Sequence, residues 1–148
     1  MKIMLGIVSV MLCMLLVGCS NAESIAIIGG ADGPTAMRVD KTGENVMYEQ
    51  ITSQEAKAIM DTGEDFVVLD VREQEEYDAG HIHRAILIPY TDIEQKAEAV
   101  LADKNQTVLV YCRSGRRSKI AAESLAKLGY VKVKEFGGIL DWPYEIEK

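Results

Sequence analysis

The chain has 148 residues, a formal net charge of −7 and a hydrophobic fraction of 48%, enough for one domain with a real core but not for two. This acidic balance argues against nucleic acid and anionic lipid as partners. It leaves room for a small anionic substrate wherever positive charge is concentrated locally.

Residues 1–18, MKIMLGIVSVMLCMLLVG, carry one charge at Lys2 and are otherwise almost wholly apolar, the pattern of an export signal. The tetrapeptide Leu16-Val17-Gly18-Cys19 resembles a bacterial lipobox, in which the chain is cut before the cysteine and the new N-terminal Cys19 is acylated. An uncleaved anchor competes with that reading, since the apolar stretch is nearly long enough to span a bilayer. Small Gly18 and polar Ser20-Asn21 favour cleavage. Either way the folded part is expected outside the cytoplasm, held to the cell membrane on a periplasmic or outer face. Cleavage removes Lys2 and Cys13, leaving the mature chain near −8. Cys19 then carries lipid, and Cys112 alone survives as a thiol. It has no intramolecular disulfide partner, so it is either a buried hydrophobe or a reactive group.

Residues 19–47 read as a lipidated N-terminus and flexible tether, broken by Gly29-Gly30, Gly33-Pro34 and Gly43. Within it, IIGGADGPTAM (27–37) resembles a short motif of the membrane subunit of sodium-pumping decarboxylases. Without the surrounding membrane helices it cannot build an ion path, and it is read as linker. From residue 48 to 148 a single domain is expected. Tyr48–Ile51 is a short extended piece. Thr52 or Ser53 caps a helix to about Met60, with Glu55 early in it and Gly63 as its stop. Phe66–Val71 is apolar and β-branched without alternation, as in a strand buried on both faces. A short acidic helix, Glu73 to Ala79, ends at Gly80.

Ala85–Ile88 reads as a second buried strand, and Thr91 or Asp92 as the cap of a helix to Ala102. Thr107–Tyr111 is the third buried strand and runs into Cys112. Ser118–Leu128 is a helix with Ile120, Leu125 and Leu128 on one side. Val131–Phe136 alternates, suggesting an edge or half-exposed strand. A last helix is expected after Gly137-Gly138, containing Trp142. Strands alternating with helices argue for a mostly parallel sheet covered on both faces. Ligands bind such sheets at the carboxyl ends of the strands, and Cys112 sits at one of those ends.

The loop CRSGRRS (112–118) combines the signals of an anion nest. Unpaired N–H groups at a helix start can be aimed at one point, Gly115 can supply the positive-φ turn, and Arg113, Arg116 and Arg117 add charge at the rim. The anion can be the cysteine's own sulfur. Making a thiolate dominant at neutral pH takes about two pKa units, or ~2.7 kcal/mol. A helix dipole supplies only ~0.3–1 kcal/mol at an exposed site. The remainder is expected from hydrogen bonds to sulfur and from the arginines.

On these residues the chain from about 49 to 145 resembles a rhodanese domain. VVLDVREQEEYDAGHIHRAILIPY (67–90) is similar to the family's first signature, Tyr111 to Ser118 to its active-site loop, and Gly137-Gly138 with Trp142 to its closing signature. The resemblance implies a three-layer α/β fold with a five-stranded, mainly parallel sheet flanked by helices. It also implies a Cys112 persulfide carrying sulfane sulfur from a donor such as thiosulfate to cyanide or a thiol. No cofactor is implied, and a monomer is expected. Cys112 is then the catalytic residue, with Arg113, Ser114, Gly115, Arg116 and Arg117 as substrate-binding loop and Asp70 and Arg72 as a bracing ion pair. Arg84 stands where the family usually has glycine, so the strand entry there is expected to be shaped differently.

Two other functions stay open. Phosphatase or arsenate-reductase chemistry on the related scaffold uses a longer Cys-(x)5-Arg loop, whereas Cys112 to Arg117 is Cys-(x)4-Arg, cramped for phosphate. A tethered module could bind sulfur without turning it over. His81 and His83 form a His-x-His pair, but two ligands make a poor metal site and none is expected. Tyr77 and Trp142 read as core, and Tyr90 as lining the mouth.

Overall fold

The computed structural model describes residues 35–39 and 45–148. Five parallel strands form its centre: β2 (Asn45–Gln50), β7 (Val133–Gly138), β6 (Thr107–Cys112), β3 (Phe66–Asp70) and β5 (Ala85–Leu87), side by side in that order. A sixth strand, β1 (Thr35–Val39), pairs antiparallel with β2 at the outer edge. The helices are α1 (Ser53–Thr62), α2 (Gln74–Asp78), α3 (Ile93–Val100) and α4 (Arg116–Lys127). A small ladder of β4 (His81–Ile82) and β8 (Ile146–Glu147) lies apart from the main sheet.

Side chains along β6 alternate between two cores, as the pleat requires. Val108, Val110 and Cys112 point to one face, packed with Ile93 and Ala97 of α3 and Leu125 of α4. Leu109 and Tyr111 point to the other, packed with Ala56 of α1, Phe136 and Trp142. Three layers result, and the expected α/β class is the one observed. The rule for parallel sheets therefore puts Cys112 and Asp70 side by side at the carboxyl ends of neighbouring strands.

Where the cues are local, the elements fall as read. Thr52 caps α1 in a reciprocal box: its hydroxyl accepts the Glu55 N–H at 3.2 Å, and Glu55 Oε2 accepts the Thr52 N–H at 2.7 Å. Gly63 ends α1 at φ +75°. Several other expectations are corrected. The tether reading of 19–47 gives way at Thr35–Val39, because β1 finds its hydrogen bonds on the free edge of β2. The strand after α4 is internal, between β2 and β6. Ala85–Leu87 is the edge instead, with Ile86 exposed.

The last helix is only a 3₁₀ turn, Ile139–Asp141, that ends before Trp142 and Pro143. Helix α4 starts two residues earlier than read and buries Ser118, Ala121, Ala122 and Leu125, leaving Ile120 exposed. Arg84 takes φ +62°, the left-handed region that glycine favours, so the strand entry keeps a glycine-like turn in spite of its side chain. The signal segment, Cys19 and residues 27–34 of the decarboxylase-like stretch lie outside the described residues.

Candidate active site

Chain direction builds the site. β6 ends at Cys112, the chain curls through Arg113, Ser114 and Gly115, and α4 begins at Arg116. Gly115 closes the curl at φ +94°, which a side chain would strain. Its N–H points at Cys112 Sγ at 3.1 Å. Cys112 is 1% exposed. Burial by itself pushes the thiol up, but hydrogen bonds from the Ser118 hydroxyl and from the N–H groups of Ser118, Ser114 and Gly115 outweigh it and hold the thiol below its ordinary range.

A glycine on the next strand fixes the curl from beneath. A Cβ on Gly138 would stand 2.2 Å from the Arg113 carbonyl oxygen and 2.6 Å from Ser114 Cα. Only a bare backbone lets the loop lie that close. The Leu140 N–H reaches the same Arg113 carbonyl at 3.3 Å. The Gly137-Gly138 pair thus serves the sulfur loop as much as its own turn.

The three arginines divide. Arg113 and Arg116 are exposed at the rim. Arg117 is bound in fork geometry to Glu76 of α2, Nη1 to Oε2 at 2.7 Å and Nη2 to Oε1 at 2.8 Å. Its guanidinium pKa is raised first by that bond to Glu76, then by the Glu76 charge, with the Cys112 charge a lesser contributor. The sequence offered all three to the substrate. The structure commits one of them to a carboxylate and leaves the Gly115 N–H as the direct partner of sulfur. Ser114 is exposed at the lip, and Tyr90 packs half-buried on the cluster that contains Cys112.

Asp70 and Arg72 make the expected pair and more. Arg72 Nη2 donates to Asp70 Oδ2 at 2.6 Å, and Arg72 Nε to both carboxylate oxygens at 3.0 Å. Arg72 Nη2 also donates to the Gly80 carbonyl at 2.7 Å. The Tyr111 hydroxyl donates to Asp70 Oδ2 at 2.5 Å and accepts the Ile82 N–H at 3.1 Å. Burial and the Asp70 charge push the Tyr111 phenol upward, so it stays a donor. Burial would lower the Arg72 pKa, but Asp70 more than compensates. This cluster sits on the Tyr111 face of β6 and braces the strand that delivers Cys112.

Two residues had no assigned role from the sequence: Ser118, placed only at the end of the loop and the start of the helix, and Glu135. Ser118, wholly buried, puts its hydroxyl within 2.6 Å of Glu135 Oε1. Glu135, 2% exposed, lies in the alternating stretch expected to be an edge or half-exposed strand. Its position two residues before Gly137, whose N–H it accepts at 2.9 Å, was the available signal. His81 and His83 both turn to Glu147 of β8, and the His81 ring stacks on Tyr77 at 3.8 Å, so they serve the small ladder.

A family model described as "Rhodanese-like domain" matches residues 52–144. The chain is 41% identical over 73 residues to the thiosulfate sulfurtransferase PspE of Escherichia coli, covering 49% of this chain and 70% of that one. It is 35% identical over 98 residues to the thiosulfate sulfurtransferase GlpE of Coxiella burnetii, covering 66% and 89%. Among solved structures, a rhodanese with anions from E. coli aligns with a TM-score of 0.54 at 37% identity, over 56% of this chain and 98% of that one.

Proposed function

The chain belongs to the rhodanese-like family, and from that premise we propose that it moves sulfane sulfur from a donor such as thiosulfate to cyanide or a thiol through a Cys112 persulfide. The observation that carries this is a buried sulfur whose ionised form is favoured by neutral donors, at the carboxyl end of a parallel strand. The Cys112 thiolate attacks the outer sulfur of thiosulfate. The donor's S–S bond breaks, sulfite leaves with its electron pair, and Cys112 holds Cys–S–S⁻. Cyanide or a thiolate then attacks the terminal sulfur and expels the Cys112 thiolate, a ping-pong cycle. The N–H groups of the curl suit the terminal sulfur's charge as an oxyanion hole suits oxygen. Arg113 and Arg116, free at the rim, would draw in the dianion, and Arg117 would act through Glu76 as a clamp on the helix.

From the sequence we also propose that the domain is tethered outside the cytoplasm by lipid on Cys19 and works as a monomer. Mass spectrometry after thiosulfate exposure tests the chemistry. The Cys112 peptide should gain one sulfur atom and lose it to cyanide, with no gain in Cys112→Ala. A thiol that stays unmodified at saturating thiosulfate, or turnover of an aryl phosphate instead, would overturn it.

A further inference from the structure

A cavity of about 680 Å³ opens away from Cys112, at the other end of the sheet and on its other face. Its volume is inside the ~300–1,000 Å³ span of small-molecule sites. It lies where β3 and β5 begin, whereas Cys112 lies where β6 ends. Its floor is Met60 of α1, Phe66, Ile82 and Trp142, all in or packed on the α1-side core, while Cys112 belongs to the α3 and α4 side. The Trp142 indole N–H donates to the Glu145 carbonyl at 3.4 Å, and its ring meets the Tyr144 ring edge-on at 4.9 Å. These contacts hold the aromatic wall in place before any ligand arrives.

The charged groups at the rim sort into used and unused. Lys57 donates to both carboxylate oxygens of Asp61, at 2.5 and 2.6 Å. His83 is paired with Glu147. Arg84 and Glu145 are left. Both are exposed, and among the described residues neither makes an ion pair, with each other or with another group.

The Arg84 guanidinium lies 5.5 Å from the Phe66 ring centre, with its charge unmatched. Its backbone sits at φ +62°, where glycine would be unstrained. The turn thus holds a cation at the cavity's edge at some cost to its own backbone.

We propose that this cavity binds a short zwitterionic peptide with large apolar or aromatic side chains, Arg84 taking its carboxylate and Glu145 its ammonium. A guanidinium presents forked donors that match a carboxylate. A carboxylate accepts the donors of an ammonium. Because Arg84 and Glu145 do not pair with each other, the ligand's charges must be set apart, as at the two ends of a dipeptide. The walls of Phe66, Trp142 and Tyr144 suit its rings. No atom of the sulfur loop takes part.

Diphenylalanine added to the full chain tests this. Trp142 is the chain's one tryptophan, so its fluorescence reads the cavity directly. A ligand that binds only the folded state also raises the melting temperature. Both signals should saturate at millimolar peptide. Arg84→Gly, which the left-handed backbone accepts, should weaken diphenylalanine about fivefold, the scale of one screened ion pair. It should leave binding of the C-terminal amide unchanged. Glu145→Gln should weaken diphenylalanine to a similar extent and leave the N-acetyl peptide unchanged.

The absence of a saturable change in either signal overturns the proposal. So does equal binding of the peptide blocked at both ends, which would make the cavity an apolar trap. A loss of affinity at only one of the two residues overturns it too, because the site would then read a single charge. No sulfur donor enters the measurement, so failure of the proposed sulfur transfer would leave these results standing.

Discussion

Two buried side chains at neighbouring strand ends carry or can carry negative charge, and they are held in opposite ways. Asp70 ends β3 and is fully buried; Cys112 ends β6 and is 1% exposed. Asp70 is clamped by a guanidinium and a phenol. The Cys112 sulfur is met by a neutral donor, the Gly115 N–H at 3.1 Å. A full counter-charge fills a carboxylate's lone pairs and leaves it inert, a brace. Backbone dipoles favour a thiolate while leaving its outer face able to react. The arginine-rich loop led to the expectation of cations beside hydrogen bonds at the sulfur. One of those cations, Arg117, is engaged by Glu76.

Removing the brace's anion should do the most damage. Asp70→Ala leaves Arg72, 5% exposed, buried without its carboxylate. Stranding one partner of a buried pair costs ~3–5 kcal/mol, a large fraction of a small domain's stability. The urea midpoint should fall accordingly. An Asp70→Asn, Arg72→Met double variant, which strands no charge, should recover part of the loss. If Asp70→Ala instead left the midpoint in place, the pair would not be the brace described here.

The next test disturbs the sulfur's side while sparing ion pairs. Gly138→Ala drives a methyl group into the Arg113 carbonyl, a backbone atom that cannot step aside cheaply. The curl must lift, and with it the donors aimed at sulfur. Misplacement on the order of 1 Å costs ~100-fold in rate, so persulfide formation should slow about that much. The accompanying loss of stability, ~1–3 kcal/mol for overpacking, should stay below that of Asp70→Ala. Stopped-flow sulfite release and urea melts on the same sample read both.

The brace was legible in the sequence because it is local: Asp70 and Arg72 lie two apart at the end of an unmistakable buried strand. Cys112 was legible because strand, glycine turn and helix follow one another directly. Glu135 was not, because its burial depends on β2 closing over β7 from far away in the chain, and locally it is one charge among Lys132, Lys134 and Glu135. Arg117 was assigned to the loop because the start of α4 depends on where Gly115 turns, and its partner Glu76 lies 41 residues earlier. Thr35–Val39 lacks any period of its own and becomes a strand only by pairing with β2. What is nonlocal in the chain is what the reading missed.

The smallest effect concerns the pair that lies between the two regimes. Arg117 and Glu76 are partly exposed, with side chains 18% and 27% accessible, and they tie α4's first turn to α2. The hydrogen bond from Arg117, above all, holds the Glu76 carboxyl below the usual carboxylate range. A group whose folded pKa is depressed adds stability that is present above its unfolded pKa and lost as pH falls through the folded one. At neutral pH, Glu76→Gln should therefore cost ~0.5–1 kcal/mol, the scale of a partly screened pair. The difference between native and variant melts should close as pH drops from about 4.5 into the acid range below it. Sulfur transfer should change far less than in Gly138→Ala, because Arg117 is held by Glu76 and the Cys112 charge is only a lesser influence on it. A large loss of activity with melting unchanged would instead put Arg117 on the substrate and return part of the cup's charge to the arginines.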